Sequence, residues 1–192
     1  MDETSLKILD ATMQLIMEKG YASTTTKDIA KAANVNESTI FRKFNSKKNI
    51  VLKSMKEKKW HPDLCEEDFK KVKYDLEKDM KYFAETYLSR VTPQFLKLAI
   101  GLRTPELFND TSNGIMKIPS VFKESFIKYL NEMKKMNKIS MDNDVEAISM
   151  LFLSVNLGFV FFKASFEDKL SSIQKEDYIN NCISVFINGI KK

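Results

Sequence analysis

The first fifty residues carry apolar side chains at helical spacing. Four of them lie three or four positions apart: Leu6, Leu9, Met13 and Ile16. This spacing predicts a first helix over residues 5–19, because residues three or four apart share one face of an α-helix. Gly20 follows at a position where helices commonly end in a left-handed residue.

Two short helices are predicted next, on either side of a tight turn. Thr25 can cap the second helix, and Asp28, three residues later, can bond back to it in a capping box. Asn34 ends this helix, because Asn tolerates a left-handed backbone. Asn36 is then a good N-cap for a third helix over residues 37–44.

The third helix has an apolar side and a polar, basic side. Ile40 and Phe44 lie four residues apart and face inward, and Val35 can staple onto Ile40. The outward side carries Glu37, Ser38, Thr39, Arg42 and Lys43. Two short helices joined by a tight turn, the second with a basic outward face, are typical of a helix-turn-helix that enters the major groove of DNA.

The rest of the chain also has helical periodicity. A fourth helix is predicted over residues 47–60, before His61-Pro62. Five more are predicted over about 66–90, from Pro93, over about 119–136, from Asp142 or Asp144 to Phe166, and over about 175–190. Strand-like alternation and internal repeats are not found. With 5 Gly and 4 Pro in 192 residues, the chain also lacks the turn residues that a many-stranded sheet needs, so an all-α fold is expected.

The positive charge is concentrated at one end of the chain. Residues 1–61 carry 12 basic and 7 acidic side chains, whereas the remaining residues carry 19 of each, so the net charge of +5 belongs to the first third. A polyanionic partner explains this asymmetry, although a solvated basic face would give the same count.

Several classes of function are excluded by what the sequence lacks. A catalytic triad or a multi-histidine metal site cannot be assembled around the single His61, and no Gly-rich phosphate loop is found. Cys65 and Cys182 are too few and too far apart for a disulfide framework, so they are expected to be reduced thiols in a cytoplasmic protein. We therefore expect no catalytic residues, no metal and no cofactor.

Export and membrane insertion are not expected either. The N-terminus lacks the basic start and apolar run of a secretion signal. The most apolar stretch, Ile148 to Phe162, is shorter than the ~20 residues that a spanning helix needs. It is also interrupted by Ser149, Ser154 and Asn156. A helix buried on most sides is predicted, and no membrane partner.

The region of the helix-turn-helix resembles a known family. Gly20-Tyr21 followed by residues 24–47, TTTKDIAKAANVNESTIFRKFNSK, is similar to the DNA-binding domain of the TetR family of bacterial transcriptional regulators. The resemblance covers residues 5 to about 52 and joins order, spacing and identity across three helices. It implies a DNA-binding domain over residues 1–50 and a helical effector-binding and dimerisation domain over residues 51–192.

The resemblance also implies roles for individual residues. Thr25 would cap the second helix and donate to a phosphate, Ser38 and Thr39 would meet base edges, Lys43 would face the groove, and Lys47 would bind backbone phosphate. The full set of candidate DNA-binding residues is Thr25, Thr26, Asn36, Glu37, Ser38, Thr39, Phe41, Arg42, Lys43, Lys47 and Lys48.

Four positions depart from the family pattern. Asn34 stands where Gly is usual, which the backbone tolerance of Asn permits. Phe41 replaces Tyr and so lacks a hydroxyl for a phosphate. Ser38 replaces a frequent Gly and adds a side chain that can meet a base. Lys48 replaces an acid, so we expect operator affinity to depend strongly on salt.

For the larger domain, the resemblance implies a small-molecule effector inside a helical core and a dimer interface formed by the last two long helices. The sequence agrees, because residues 150–162 and 178–187 carry more apolar side chains than one buried face requires. Candidate interface residues are Phe159, Phe162, Ile179, Ile183 and Phe186. Candidate effector-pocket residues are Trp60, Tyr87, Phe122, Phe126 and Met150, although such residues more often form core. The lack of a distinctive buried charge favours an apolar or amphipathic effector.

These observations predict a homodimeric, one-component repressor that binds a palindromic double-stranded DNA operator and leaves it when a small effector binds. The effector would act through the fourth helix on the spacing of two recognition helices, which must span about 34–36 Å. The alternative is a helical module that uses its basic segment to contact a protein or a membrane.

Overall fold

A computed structural model describes residues 1–140, 142 and 144–191. Their secondary structure is helical apart from one isolated antiparallel bridge between Ile139 and Lys191, so the all-α prediction is confirmed. The helices are α1 (Glu3–Ser23), α2 (Thr26–Ala32), α3 (Glu37–Phe44), α4 (Lys47–Ser54), α5 (Leu76–Arg90), α6 (Pro93–Gly101), α7 (Phe108–Lys135), α8 (Val145–Phe166), α9 (Lys175–Asp177) and α10 (Ile183–Ile190). A 3₁₀ turn covers Glu66–Phe69, and a π-helical turn, Tyr178–Cys182, joins α9 to α10.

Backbone contacts divide the chain into two compact units. The first unit contains Met1–Pro62 and Gln94–Ile115, and the second contains Asp63–Pro93 and the residues from Met116 onward. The prediction placed a single boundary at residue 50. The first unit is larger because α6 and the segment after α4 pack on α1. The cluster that joins them is Met13, Ile16, Tyr21, Val51, Trp60, Leu98, Leu102 and Leu107.

The three-helix core of the first unit forms around small and branched side chains. Its buried members are Ile8, Leu9, Ile29, Ala30, Ala33, Ile40, Phe44 and Ile50, and Val35 packs against them. The two alanines let α2 approach its neighbours closely. At the other side of α1, α6 approaches the backbone itself, because a Cβ on Gly101 would lie 2.8 Å from the carbonyl oxygen of Ile16.

Three predicted helix bounds were wrong. The fourth helix ends at Ser54 rather than near residue 60, and successive turns follow it. The span predicted as 66–90 is a 3₁₀ turn followed by α5, separated by Tyr74 at a φ of 56°. The helix expected to start near Pro119 begins at Phe108 and contains Pro119 in its interior. Proline there was mistaken for a first-turn residue.

The second unit is built around buried aromatic rings. Their centroids lie 4.7–6.2 Å from those of their neighbours. The cluster comprises Phe69, Phe83, Tyr87, Phe122, Phe126, Tyr129 and Phe152, and all of these side chains are buried. It connects α5, α7 and α8, so residues far apart in sequence together determine this core.

Helix α8 has the predicted bounds but is more exposed than expected. It has 22 residues from Val145 to Phe166, with Asp144 as the N-cap, and it is long and apolar enough to cross a membrane by length and composition. Only 33% of its most apolar 18-residue stretch is buried within the chain. The argument from the sequence that this segment is too short to span a membrane was therefore wrong. A helix that packs in a subunit interface has the same composition.

Candidate nucleic-acid interface

The N-terminus of α2 is fixed by a polar network. The Thr25 hydroxyl accepts a hydrogen bond from the Asp28 backbone N–H (3.1 Å) and donates to Asp28 Oδ2 (2.8 Å), which confirms the predicted capping box. Lys19 Nζ lies 2.8 Å from the same carboxylate oxygen. The hydrogen bond from Lys19, followed by those from Thr25, holds the pKa of Asp28 well below its usual range. Thr25 must therefore exchange a partner within the protein to donate to a phosphate.

The turn between α2 and α3 has the predicted backbone. Asn34 has a φ of 53°, and the N–H of Val35 donates to the Ala30 carbonyl at 2.9 Å. Asn36 occupies the N-cap position of α3 but makes no side-chain capping bond, so this part of the prediction was wrong. A different contact links the two helices, in which the Thr26 hydroxyl donates to Glu37 Oε1 at 2.6 Å.

Helix α3 presents the polar side that was predicted. Ile40 and Phe44 are buried against α1 and α2. Ser38 and Arg42 are exposed, and Thr39 is half-buried. Phe41 is 49% exposed, so an apolar ring lies on an otherwise polar surface. Glu37, Ser38, Phe41 and Arg42 of this side are exposed, as a helix that enters a groove requires.

Lys43 is paired with a residue at the start of the chain. Its Nζ lies 2.6 Å from Asp2 Oδ2, and the other Asp2 carboxylate oxygen accepts from the Ser5 backbone N–H at 2.8 Å. Asp2 therefore caps α1 and neutralises a cation of α3 at once. Sequence reasoning missed Asp2, because no local pattern links two residues that are 41 positions apart.

Lys47 lies in an enclosed position between α4 and the α1–α2 turn. Its Nζ donates to the carbonyls of Tyr21 (2.8 Å) and Thr24 (2.7 Å) and lies 3.9 Å from the centre of the Tyr21 ring. Burial lowers the pKa of the Lys47 ammonium, and the carboxylate of Glu106 partly opposes that shift. The side chain thus ties together the elements that support α3.

Two further contacts join this region to residues at the start of α7, Glu106 just before it and Asp110 in its first turn. Tyr21 Oη donates to Glu106 Oε1 at 2.6 Å, and Lys48 Nζ lies 2.7 Å from Asp110 Oδ2. Burial, and then the Glu106 carboxylate, raise the pKa of the Tyr21 hydroxyl. These partners lie 60 or more residues away in sequence, so nothing in the local pattern pointed to them.

The structure does not bring the five candidate effector-pocket residues together. Trp60 belongs to the first unit, where its indole N–H donates to Asp10. Tyr87, Phe122 and Phe126 lie inside the aromatic core of the second unit. Met150 is on the exposed side of α8.

The candidate dimer-interface residues are partly buried within the chain and partly exposed. Ile179 and Ile183 are buried within their own chain, so a partner cannot bury them further. Phe186 packs on Phe152 with ring centroids 4.8 Å apart, and Phe159 stacks on Tyr178 at 4.3 Å. Phe162 is 50% exposed. The other exposed apolar side chains of α8 are Met150, Leu151, Val155, Leu157, Phe161 and Phe166, and Val185 of α10 is exposed as well.

Among the residues that the structure describes, no group of three or more His, Cys, Asp and Glu side chains could hold a metal ion. Cys65 and Cys182 are exposed free thiols.

Comparison with known proteins agrees with this geometry. Residues 8–53 match the family described as bacterial regulatory proteins, tetR family. Over 190 residues the chain is 30% identical to the uncharacterized HTH-type transcriptional regulator YvkB of Bacillus subtilis (strain 168), covering 99% of this chain and 98% of the relative.

Solved structures with low sequence identity share the fold. NalD, the secondary repressor of the MexAB-OprM multidrug efflux pump in Pseudomonas aeruginosa, superposes with a TM-score of 0.70 at 14% identity, over 99% of this chain and 98% of NalD. FadR from Bacillus subtilis, in complex with stearoyl-CoA, gives a TM-score of 0.66 at 22% identity, over 96% and 98%. The family match and the 30% identical relative show that this chain, with its capped α2, tight turn and exposed α3, is a DNA-binding transcriptional regulator of the TetR family and not an enzyme.

Proposed function

We propose that the protein is a homodimeric, one-component repressor that binds a palindromic operator and is released by a small apolar or amphipathic effector. The observation that carries this proposal is the exposed polar side of α3, held in position by the capping box of α2 and the Asn34 turn. A recognition helix needs both an open outer face and a fixed inner one.

Within α3, Ser38 and Thr39 would meet base edges, and Arg42 and Lys43 would contact DNA near them. Both hydroxyls lie on the first turn of a helix of eight residues, the part that enters the groove first. Thr25, Thr26, Asn36, Glu37, Phe41 and Lys48 complete the proposed contact surface. Lys47 would act chiefly as a positioning residue, because its ammonium already donates to two carbonyls.

A second copy of the chain would cover the exposed side of α8. Phe161, Phe162 and Phe166 form neighbouring exposed rings there, and the ring centroids of Phe161 and Phe162 are 6.0 Å apart. Monomeric proteins rarely leave so contiguous an apolar surface in water. Dimerisation would also supply the two-fold symmetry that a palindromic site requires.

The proposed effector class is supported by a cleft in the second unit. Its volume is about 340 Å³, where Leu88, Val91 and Val160 form an apolar wall. Charged groups of both signs line the rest, including Lys175 and the Lys163–Asp168 ion pair. Such a lining suits an amphipathic molecule. FadR was crystallised with stearoyl-CoA, and NalD represses a multidrug efflux pump, which is consistent with effectors of this kind in the fold. We also propose a cytoplasmic location, where the operator is found.

A gel-shift assay on a palindromic duplex from the protein's own promoter tests the proposal. We expect a sequence-selective shift that weakens steeply with salt, as contacts to several phosphates require. Equal shifts on the palindrome and on a scrambled duplex of the same composition would contradict operator recognition. A strictly monomeric protein in sedimentation analysis would contradict the dimer.

A further inference from the structure

Asp2 connects the first turn of α1 to the DNA-facing side of α3. One of its carboxylate oxygens accepts from the Ser5 N–H at 2.8 Å, and the other lies 2.6 Å from Lys43 Nζ. Both oxygens are thus occupied, and the side chain cannot turn toward another partner without losing the cap of α1. The carboxylate has a fixed place beside the recognition helix.

The pair is unequally exposed. The Asp2 side chain is 61% exposed, whereas that of Lys43 is 21% exposed. The hydrogen bond from Lys43, followed by that from Ser5, holds the pKa of the Asp2 carboxyl well below its usual range, so it is ionised at neutral pH. Arg42, the neighbouring cation of α3, is exposed.

Two situations are possible when α3 binds DNA. If Lys43 stays with Asp2, its charge is already neutralised and it releases fewer counterions from the DNA. If Lys43 leaves Asp2, an unpaired carboxylate remains next to a polyanion, and repulsion opposes binding. In both situations Asp2 lowers the affinity for DNA and reduces its dependence on salt.

We propose that Asp2 is a positioning residue for DNA recognition, which restrains Lys43 in the free protein and weakens operator binding. This inference rests on the proposed role of α3 in contacting the operator. It assigns to the first turn of α1 a direct influence on the recognition helix, in addition to its packing role.

The test compares Asp2→Asn with Glu3→Gln. Both variants remove one negative charge from the first turn of α1. Asn keeps an oxygen that can cap the helix. Glu3 pairs instead with Lys7 of its own helix, at 2.7 Å, so Glu3→Gln is a matched control for the change in charge. Operator affinity is measured by fluorescence anisotropy across a range of salt concentrations, and thermal unfolding shows whether each variant is folded.

We expect Asp2→Asn to bind the operator about two- to fivefold more tightly, a modest gain because the ion pair that it removes is exposed. Its plot of log affinity against log salt should be steeper by up to about 0.9, one additional phosphate contact. Glu3→Gln should show less than half of either change. Adding Lys43→Gln should abolish the gain from Asp2→Asn, which a purely structural role of Asp2 would not explain.

Three results would overturn the inference: equal gains from Asp2→Asn and Glu3→Gln, no gain from Asp2→Asn, or a gain that persists with Lys43→Gln. If Asp2→Asn does not fold, Asp2→Ser, which also retains a capping oxygen, takes its place. Failure of the wild-type protein to select the operator would instead contradict the proposed function, so the two failures are distinguishable.

Discussion

In the first unit, α2, α3 and α4 have only seven or eight residues each, and side-chain caps from Thr25 and Ser46 fix where two of them begin. In the second unit, α5 and α8 have 15 and 22 residues, and they meet the part of α7 from Met116 onward around a buried aromatic cluster. In the DNA-binding region, polar contacts at helix ends therefore add to a core of small and branched side chains, whereas the other unit depends on ring packing. Mutations should affect the two units through different interactions.

The largest expected effect is the loss of an aromatic core residue. Phe126 is wholly buried, and its ring lies 4.8 Å from that of Phe83 and 4.7 Å from that of Phe152. Phe126→Ala should lower the free energy of unfolding by about 3–5 kcal/mol, because it leaves a cavity as well as losing apolar burial. Urea denaturation measures this change.

The control is Phe108→Ala, the same substitution at a 51% exposed ring in the part of α7 that belongs to the first unit. We expect that variant to remain within about 0.5 kcal/mol of the wild type. If the two substitutions destabilise the protein equally, the aromatic cluster does not hold the second unit together as described.

The second effect concerns the half-buried ammonium of Lys47 in the first unit. Lys47→Met leaves the carbonyls of Tyr21 and Thr24 without their donor, so the unit should lose about 1–3 kcal/mol of stability. DNA binding should fall in parallel on all sequences, because α4 no longer holds the turn. Thermal unfolding and anisotropy, measured on the same preparation, check both expectations.

Lys56→Met is the control, because Lys56 is an exposed cation just after α4. It should change stability by no more than about 0.5 kcal/mol. Weaker DNA binding by Lys47→Met with unchanged stability would show that Lys47 is a phosphate contact and not a positioning residue.

These contrasts also show how much could be predicted from the sequence. Thr25, Asp28 and Asn34 specify α2 and its turn through contacts within a few residues, and those predictions were confirmed. The start of α7 was missed because the Pro119 ring was taken as a helix-start signal. Helix propagation before Pro119 depends on packing, which a local pattern does not contain.

The candidate site also contains some features that follow from local sequence and others that depend on the tertiary fold. The polar side of α3 followed from helical spacing alone. The Asp2–Lys43 and Lys48–Asp110 pairs depend on the tertiary fold, so the sequence gives no local indication of them. The buried positions of Ile179 and Ile183 depend on how the last helical segment is rotated against α5 and α8, and a π-helical turn changes that rotation.

The third effect is the loss of a helix cap. Thr25→Ala should destabilise the first unit by about 1 kcal/mol, because it removes the side chain that accepts from the Asp28 N–H. Thr25→Ser retains the hydroxyl and should be close to wild type. Denaturation with urea distinguishes the variants, and equal stability of Thr25→Ala and Thr25→Ser would show that the cap contributes little.

The smallest expected effect is a dependence of the protein's stability on acidic pH. Asp28 has a pKa below its ordinary value of 3.8 in the folded protein, so its ionised form favours folding. That contribution is present above the unfolded-state pKa and is lost as pH falls through the folded-state pKa. The Tm difference between wild type and Asp28→Asn should therefore shrink as pH falls below 3.8. A difference that stays constant or grows in acid would contradict this account.

The most direct test of the central claim, that α3 selects the DNA sequence, is the effect of Thr39→Ala on relative affinity. Anisotropy is measured on the operator and on duplexes with single base-pair changes, for the wild type and the variant. We predict that Thr39→Ala changes the preference at one position in each half-site, by an amount equivalent to about 1–3 kcal/mol, while the other positions keep theirs. An equal loss of affinity on every duplex would contradict the claim.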